Sequence, residues 1–279
     1  MLVFELFCLL KVDLKVAKIF KRNITTVSIQ DSQSDSSLRT QLKSLLGRIL
    51  YKQYFDCIWT TGIGGLTMAK RLGYSKNKIF NYCLTADTKN FEKNEKNNIL
   101  KISRKIIFIG RFSVEKNIEK LISIFTSVNS KLQNKWKLIL IGSGTLSNNE
   151  PINDFIKIYS FQSPEDLKNI VSDADVFCLP SLYEPWGLVV HEMACMGKAL
   201  LLSNRCGSTS EFLIEGFNGL SFDPKNFEDW SAKMQRLFVM NSDELNKMKS
   251  NSIIMSRRIT LEMWAGQLHN LLNINKISD

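Results

Sequence analysis

The chain has 279 residues, 44% hydrophobic and 23% charged. That is enough for roughly two domains of ~100–200 residues each and excludes a wholly disordered protein. Thirty-seven Lys and Arg against 27 Asp and Glu leave a net charge of +10, which favours phosphorylated ligands, anionic membrane surfaces or nucleic acid. The cations are dispersed and show no aromatic stacking pattern, so nucleic acid is not an expected partner.

The first ten residues are apolar but carry Glu5, no basic leader and no small-residue cleavage site, so a secretory signal is not expected. Leu2, Leu6, Leu9, Leu10 and Leu14, with Lys11, Lys15 and Lys18, predict an amphipathic helix to about Lys21. That helix suits either a packed domain or a membrane surface. No apolar run approaches the ~18–20 residues of a bilayer span. A strand is predicted at 25–29, a helix at 37–51, a strand at 56–60, a helix at 62–72 and a strand at 78–82. The polar stretch 85–103 reads as a linker.

Beyond it the alternation resumes, with strands at 106–109, 138–141, 155–159, 176–179 and 199–202. Helices fall near 114–128, 164–171, 187–196 and 208–214. The tail from 243 to 274 is predicted helical, with Trp264, Leu268, Leu271 and Leu272 on its apolar side. Short apolar runs between helices predict an α/β architecture in which helices cover parallel strands buried on both faces.

Six cysteines (Cys8, Cys57, Cys83, Cys178, Cys195 and Cys206) form neither a CxxC pair nor zinc-ligand spacing, and three sit inside apolar runs. Reduced, buried thiols in a cytoplasmic protein are expected. With only His191 and His269, a His-rich metal site or His relay is not expected.

The richest stretch runs from Pro180 to Glu192, off a buried strand and into a helix. In open α/β sheets ligands sit at that carboxyl end of the strands. Pro185 suits the first helical position, and the amides of Trp186, Gly187 and Leu188 then lack intrahelical partners and attract a phosphate. Gly187 removes a side chain where a phosphate would approach. Glu184 and Glu192 are placed to accept hydrogen bonds from hydroxyls at the two ends of a phosphate-linked sugar. A second cluster follows the strand 106–109, where Gly110 is succeeded by Arg111 and Lys116, a planar fork and a point charge suited to a diphosphate. Gly142-Ser143-Gly144 is a third strand-then-glycine turn, but it lacks the third glycine and the acidic partner of a dinucleotide fingerprint.

Other patterns are discounted. Asp173-Ala174-Asp175 matches D-x-D but stands at the beginning of a strand, the wrong end for a site, and reads as structural. Gly62-Ile63-Gly64-Gly65 reads as a helix opening. There is no Walker P-loop and no G-x-S-x-G elbow.

Together these pieces resemble the retaining glycosyltransferases of family 4 (glycosyl transferases group 1), which have the GT-B fold. Gly110 to Asn117 is similar to the family's G-R-x-x-x-x-K-G, with Asn117 in place of the last Gly; Gly142-Ser143-Gly144 resembles its G-x-G turn. Pro180 to Glu192 resembles P-S-x-x-E-x-x-G-L-x-x-x-E, followed by Gly197 and a segment from Asn204 to Glu211. The resemblance implies that Gly110, Arg111, Lys116 and Gly142, with the backbone of Gly187, Leu188 and Val189, hold the donor diphosphate. Glu192 would bind the ribose and Glu184 would orient the donor sugar as the catalytic residue. No metal or other cofactor is implied, the nucleotide-sugar being a substrate.

It further implies a partial acceptor-side domain at 1–85, a linker at 86–103, a complete donor-binding domain at 104–245, and a C-terminal helix at 246–279 packing back on the first part. The implied activity is transfer of a hexose-type sugar from a nucleoside-diphosphate sugar to a glycan or lipid-linked acceptor with retention, in surface polysaccharide biosynthesis. The expected location is cytoplasmic, peripheral on the inner face of a membrane. The short first domain leaves two alternatives: a non-catalytic donor-binding subunit that needs a complementing polypeptide, or a sugar-nucleotide epimerase or phosphorylase on the same fold.

Overall fold

The computed structural model describes residues 2–5, 25–30, 47–48, 52–91, 102–144 and 153–273. The chain divides into two compact units, Met1–Thr85 with Ile259–Asp279, and Ala86–Arg258. The first unit has a four-stranded sheet in the order β1 (Leu2–Glu5), β2 (Thr26–Gln30), β3 (Cys57–Thr60), β4 (Ile79–Phe80), all parallel. Helix α1 (Gly62–Arg71) follows β3, and a 3₁₀ turn (Lys76–Lys78) leads into β4.

The opening helix is corrected here. Leu2–Glu5 is a strand whose partners are Thr26 to Ile29, so cross-strand pairing outweighs the helical leucine spacing. The remaining leucines and lysines of that predicted helix, most of 37–51 and 92–101 of the linker lie outside the described residues.

One face of this sheet buries Val27, Cys57, Trp59 and Phe80 against the returning C-terminal helix. Trp59 stacks on Trp264 at 5.5 Å, and both indoles are satisfied: Trp59 Nε1 donates to Asn81 O (2.8 Å) and Trp264 Nε1 to Cys83 O (3.2 Å). The other face packs Ile58 against Ala69, Leu72 and Tyr74.

In the second unit a short helix α2 (Thr88–Phe91) is followed by six strands: β5 (Lys105–Ile109), β6 (Lys137–Ile141), β7 (Ile156–Tyr159), β8 (Val176–Leu179), β9 (Ala199–Ser203) and β10 (Gly219–Phe222). They form one parallel sheet in the order β10-β9-β8-β5-β6-β7. The connecting helices are α3 (Ile118–Ser130), α4 (Pro164–Ser172), α5 (Leu188–Cys195), α6 (Thr209–Phe212), α7 (Phe227–Val239) and α8 (Ser242–Ser256). Every residue of β8 and β9 is buried, as strands covered on both faces require. The strand order reverses between β5 and β8, and in such sheets the crevice outside the carboxyl ends at that point takes the ligand.

β10 and α7 were missed from sequence. β10 is four residues opened by Gly219, whose added Cβ would lie 2.1 Å from Leu200 O, so it is chosen by close approach rather than by alternation. Helix α7 did carry a signal, because Asn226 caps it by accepting from Asp229 N–H. The predicted tail helix is two. Helix α8 stops at Ser256, and α9 (Leu261–Leu272) starts anew behind the Thr260 cap and belongs to the first unit. No helix among the described residues is long and apolar enough to cross a membrane.

Candidate active site

The loops leaving β5 and β8 meet at the switch point. After β5, Gly110 N–H donates to Ile141 O (3.0 Å) and Phe112 N–H to Ser143 O (2.7 Å), so the turns after β5 and β6 run on together. Gly142 is required by that approach, because a Cβ there would stand 1.9 Å from Gly110 O. Its glycine is therefore accounted for by the protein's own backbone before any ligand is considered. The 3₁₀ turn Val114–Lys116 ends on Asn117 at φ 58°, ψ 36°, the left-handed region. Asn tolerates it best among residues with a side chain, which explains how it stands where the resembled motif has Gly.

This turn docks on the loop after β8 through Leu182 N–H to Glu115 O (2.8 Å). Lys116 forms an ion pair with Glu184, whose side chain is 11% exposed, and Ser181 Oγ donates to the same carboxylate oxygen (3.3 Å). Arg111 stands on the same loop, exposed, and enters no ion pair among the described residues. A cavity of about 170 Å³ opens beside the turn, between Val114, Ile118 and Leu182.

Two expectations at the next helix are corrected. Helix α5 begins at Leu188, so Pro185 is not its first residue; Gly187 is the cap, at φ 84°, ψ 65°. The space above Gly187 is not vacant either. A Cβ there would lie 3.0 Å from both Cys206 Sγ and Glu184 Cγ, and 3.1 Å from Leu179 Cδ2. Glycine is thus fixed by φ and packing. Within α5 the first amides, those of Leu188 and Val189, are open among the described residues, since Val190 N–H already bonds Gly187 O (3.0 Å).

The strap Arg205–Ser208 was quoted from sequence without a role, and it builds this corner. Glu184 N–H donates to Arg205 O (3.1 Å), Gly207 N–H to Glu184 O (3.1 Å) and Ser208 N–H to Trp186 O (2.9 Å). Cys206 Sγ bonds Trp186 O (3.1 Å), and burial pushes its thiol up to about 11.

One turn into α5, Glu192 is half-buried; burial raises its carboxyl above the ordinary 4.5, and no hydrogen bond or ion pair engages it among the described residues. Its neighbour His191 is structural. Nδ1 accepts from Ala86 N–H (3.1 Å), Nε2 donates to Ser256 O (2.9 Å), and the ring stacks on Phe212 at 4.3 Å. Burial depresses it from 6.5 to about 4. The unfolded chain therefore takes up a proton that the folded one refuses as pH falls from 6.5 to 4. Stability is full above 6.5 and should decline by about 3 kcal/mol across that window. Denaturant titrations of His191→Gln, which can keep both bonds, should show that decline removed.

Asp175 is fully buried at the other end of β8, where it pairs with Lys249 (2.8 Å) and accepts from Ser103 N–H (2.9 Å). Asp173 pairs with Lys105. The D-x-D triplet is structural, as expected. Among the described residues no three His, Cys, Asp or Glu side chains group to hold a metal ion. Cys57, Cys83, Cys178, Cys195 and Cys206 are buried thiols.

The family model described as glycosyl transferases group 1 matches residues 89–255. An uncharacterized glycosyltransferase of Methanocaldococcus jannaschii is 29% identical over 128 residues, 43% of this chain and 32% of that protein. The N,N'-diacetylbacillosaminyl-diphospho-undecaprenol alpha-1,3-N-acetylgalactosaminyltransferase of Campylobacter jejuni is 24% identical over 66% of this chain and 48% of its own. The chain spans between a third and about half of the first curated relatives it matches. Among solved structures, HepE of Anabaena in complex with UDP superposes with a TM-score of 0.75 at 14% identity, over 94% of this chain and 76% of that one. Sucrose-phosphate synthase of Thermosynechococcus elongatus gives 0.73 at 19%, over 95% and 72%. These likenesses carry the fold, an α/β architecture of the GT-B type.

Proposed function

The chain belongs to the glycosyl transferases group 1 family, and on that premise we propose that it is a retaining nucleotide-sugar glycosyltransferase. Its reaction moves a hexose-type sugar from a nucleoside diphosphate to a glycan or lipid-linked acceptor in surface polysaccharide assembly. One observation supports this most: Lys116, Glu184 and the open amides of α5 converge where the strand order reverses. A diphosphate leaving a sugar gains negative charge as the anomeric C–O bond breaks. A cation and two amides fixed beforehand stabilise that charge without reorganising. Arg111 adds a second cation from the same loop, so no metal is invoked. Glu192, an unengaged carboxylate in a half-buried position, accepts from the ribose hydroxyls. Glu184, held by Lys116 and Ser181, faces the donor sugar.

A thermal-shift panel of UDP-, GDP- and ADP-sugars tests the reading, since a ligand that binds only the folded chain raises its apparent stability. One nucleotide should stand out. Glu192→Ala should weaken that binding at least tenfold and abolish transfer; unchanged turnover rejects the assignment. Because burial raises the Glu192 pKa, acidification neutralises it at a higher pH than an ordinary carboxyl. Nucleotide affinity should therefore fall as pH drops towards that raised value, and Glu192→Gln should flatten the profile.

A further inference from the structure

The chain passes between its units twice, and both passages are fastened to the helix that carries Glu192. The first unit breaks off at Thr85 and resumes at Ile259, so Ala86 and Arg258 are the end residues of the second. His191 is wholly buried and reaches both ends. Its Nδ1 accepts from Ala86 N–H (3.1 Å) and its Nε2 donates to Ser256 O (2.9 Å). A peptide N–H only donates and a carbonyl only accepts, so these two partners fix the neutral ring with its proton on Nε2. Helix α2, which opens two residues after Ala86, packs on α5 as well.

A second tie starts from Arg258. Its Nη1 donates to Glu211 O (3.2 Å), and its Nη2 stands 3.9 Å from the Glu211 carboxylate. Glu211 lies in α6, directly after the strap whose backbone holds Glu184. Phe212, next in α6, stacks on His191 at 4.3 Å and meets Trp186 edge-on at 6.2 Å. The helix that presents Glu192 and the strap that holds Glu184 are thus bound to the same two chain ends. Neighbouring residues of a helix point about 100° apart. Holding His191 by two bonds and a stacked ring therefore also sets where Glu192 points.

We infer that His191 is a positioning residue that couples nucleotide binding on α5 to the order of the segments at Ala86 and Ser256, where the chain passes between units. The inference rests on α5 being the nucleotide's seat. Such coupling is reciprocal: the factor by which a nucleotide resists opening of the latch is the factor by which an open latch weakens the nucleotide. The Ala86 amide reports the opening, because it exchanges with solvent only when its bond to His191 breaks.

The test uses the full chain with whichever of UDP, GDP or ADP raises its melting temperature most. At near-saturation that nucleotide should slow hydrogen exchange of the Ala86 amide by about fivefold or more. In calorimetric titration His191→Leu should weaken the nucleotide by the same factor, whereas His191→Gln, which can keep both bonds, should stay within twofold. Asn129→Leu is the matched control: it also strips two buried bonds, with Trp136 N–H (2.8 Å) and Trp136 O (3.1 Å), but on α3. Its affinity should change less than twofold. Should His191→Leu fail to fold, the exchange of wild-type Ala86 decides. A melting shift with unchanged Ala86 exchange, or equal losses in His191→Leu and Asn129→Leu, overturns the coupling and leaves the donor site standing. No shift with any of the three nucleotides removes the donor site, and the coupling with it.

Discussion

Alanine at Lys116 is expected to lower kcat/KM for sugar transfer by roughly 10²–10³, the cost of removing one preorganised group aimed at developing negative charge. The ammonium is proposed to act on the diphosphate, whose charge grows as the sugar departs, so kcat should fall together with kcat/KM. A second effect adds to the first. Glu184 is 11% exposed at its side chain and Lys116 is its ion-pair partner, so the truncation leaves a nearly buried carboxylate without that cation. Its hold on the sugar should weaken as well. Lys116→Arg keeps the charge but replaces a compact ammonium with a planar fork, and should recover only part of the rate. Lys116→Ala/Glu184→Gln removes both charges; it should melt close to the wild type yet remain as slow as the single variant. Initial rates over donor concentration, with melting curves for each protein, check this. A Lys116→Ala enzyme with wild-type kcat and KM would remove the diphosphate from this corner.

Most of the second unit was legible because its strands are buried on both faces and so appear as short apolar runs. β5, β6, β8 and β9 fall within a residue or so of their predicted places. The reversal of strand order was not legible, since the pairing of β5 with β8 spans about seventy residues. The site's residue types were readable, but the reasons for two of its glycines were not. Gly187 was explained by a phosphate's approach and Gly142 was given to the donor by resemblance; atoms of Gly110, Cys206, Glu184 and Leu179 demand them first. Cys206 and Ser208 drew no attention as catalytic types. What they contribute is a backbone strap, visible only once β8 and β9 lie side by side. β1 failed for a related reason: its parallel partner is remote in sequence, while the leucine spacing is local.

The largest loss of stability is expected far from the chemistry, at Lys249. Its ammonium and the Asp175 carboxylate are 5% and 1% exposed as side chains, 2.8 Å apart, tying helix α8 to the beginning of β8. A buried pair of this kind adds little over well-packed apolar residues, because desolvation offsets most of the attraction; removing one partner is another matter. In Lys249→Met the Asp175 charge stays buried with only backbone amides near it, those of Ser103 and, at 3.5 Å, Lys105. The cost should be about 3–5 kcal/mol, and the melting temperature should fall by on the order of 10 °C. A double variant identifies the cause: Lys249→Met/Asp175→Asn leaves no buried charge unpaired and should recover much of the loss in denaturant titrations. A loss below about 1 kcal/mol in the single variant, or no recovery in the double one, would mean that the pair does not brace the sheet beneath the donor loops.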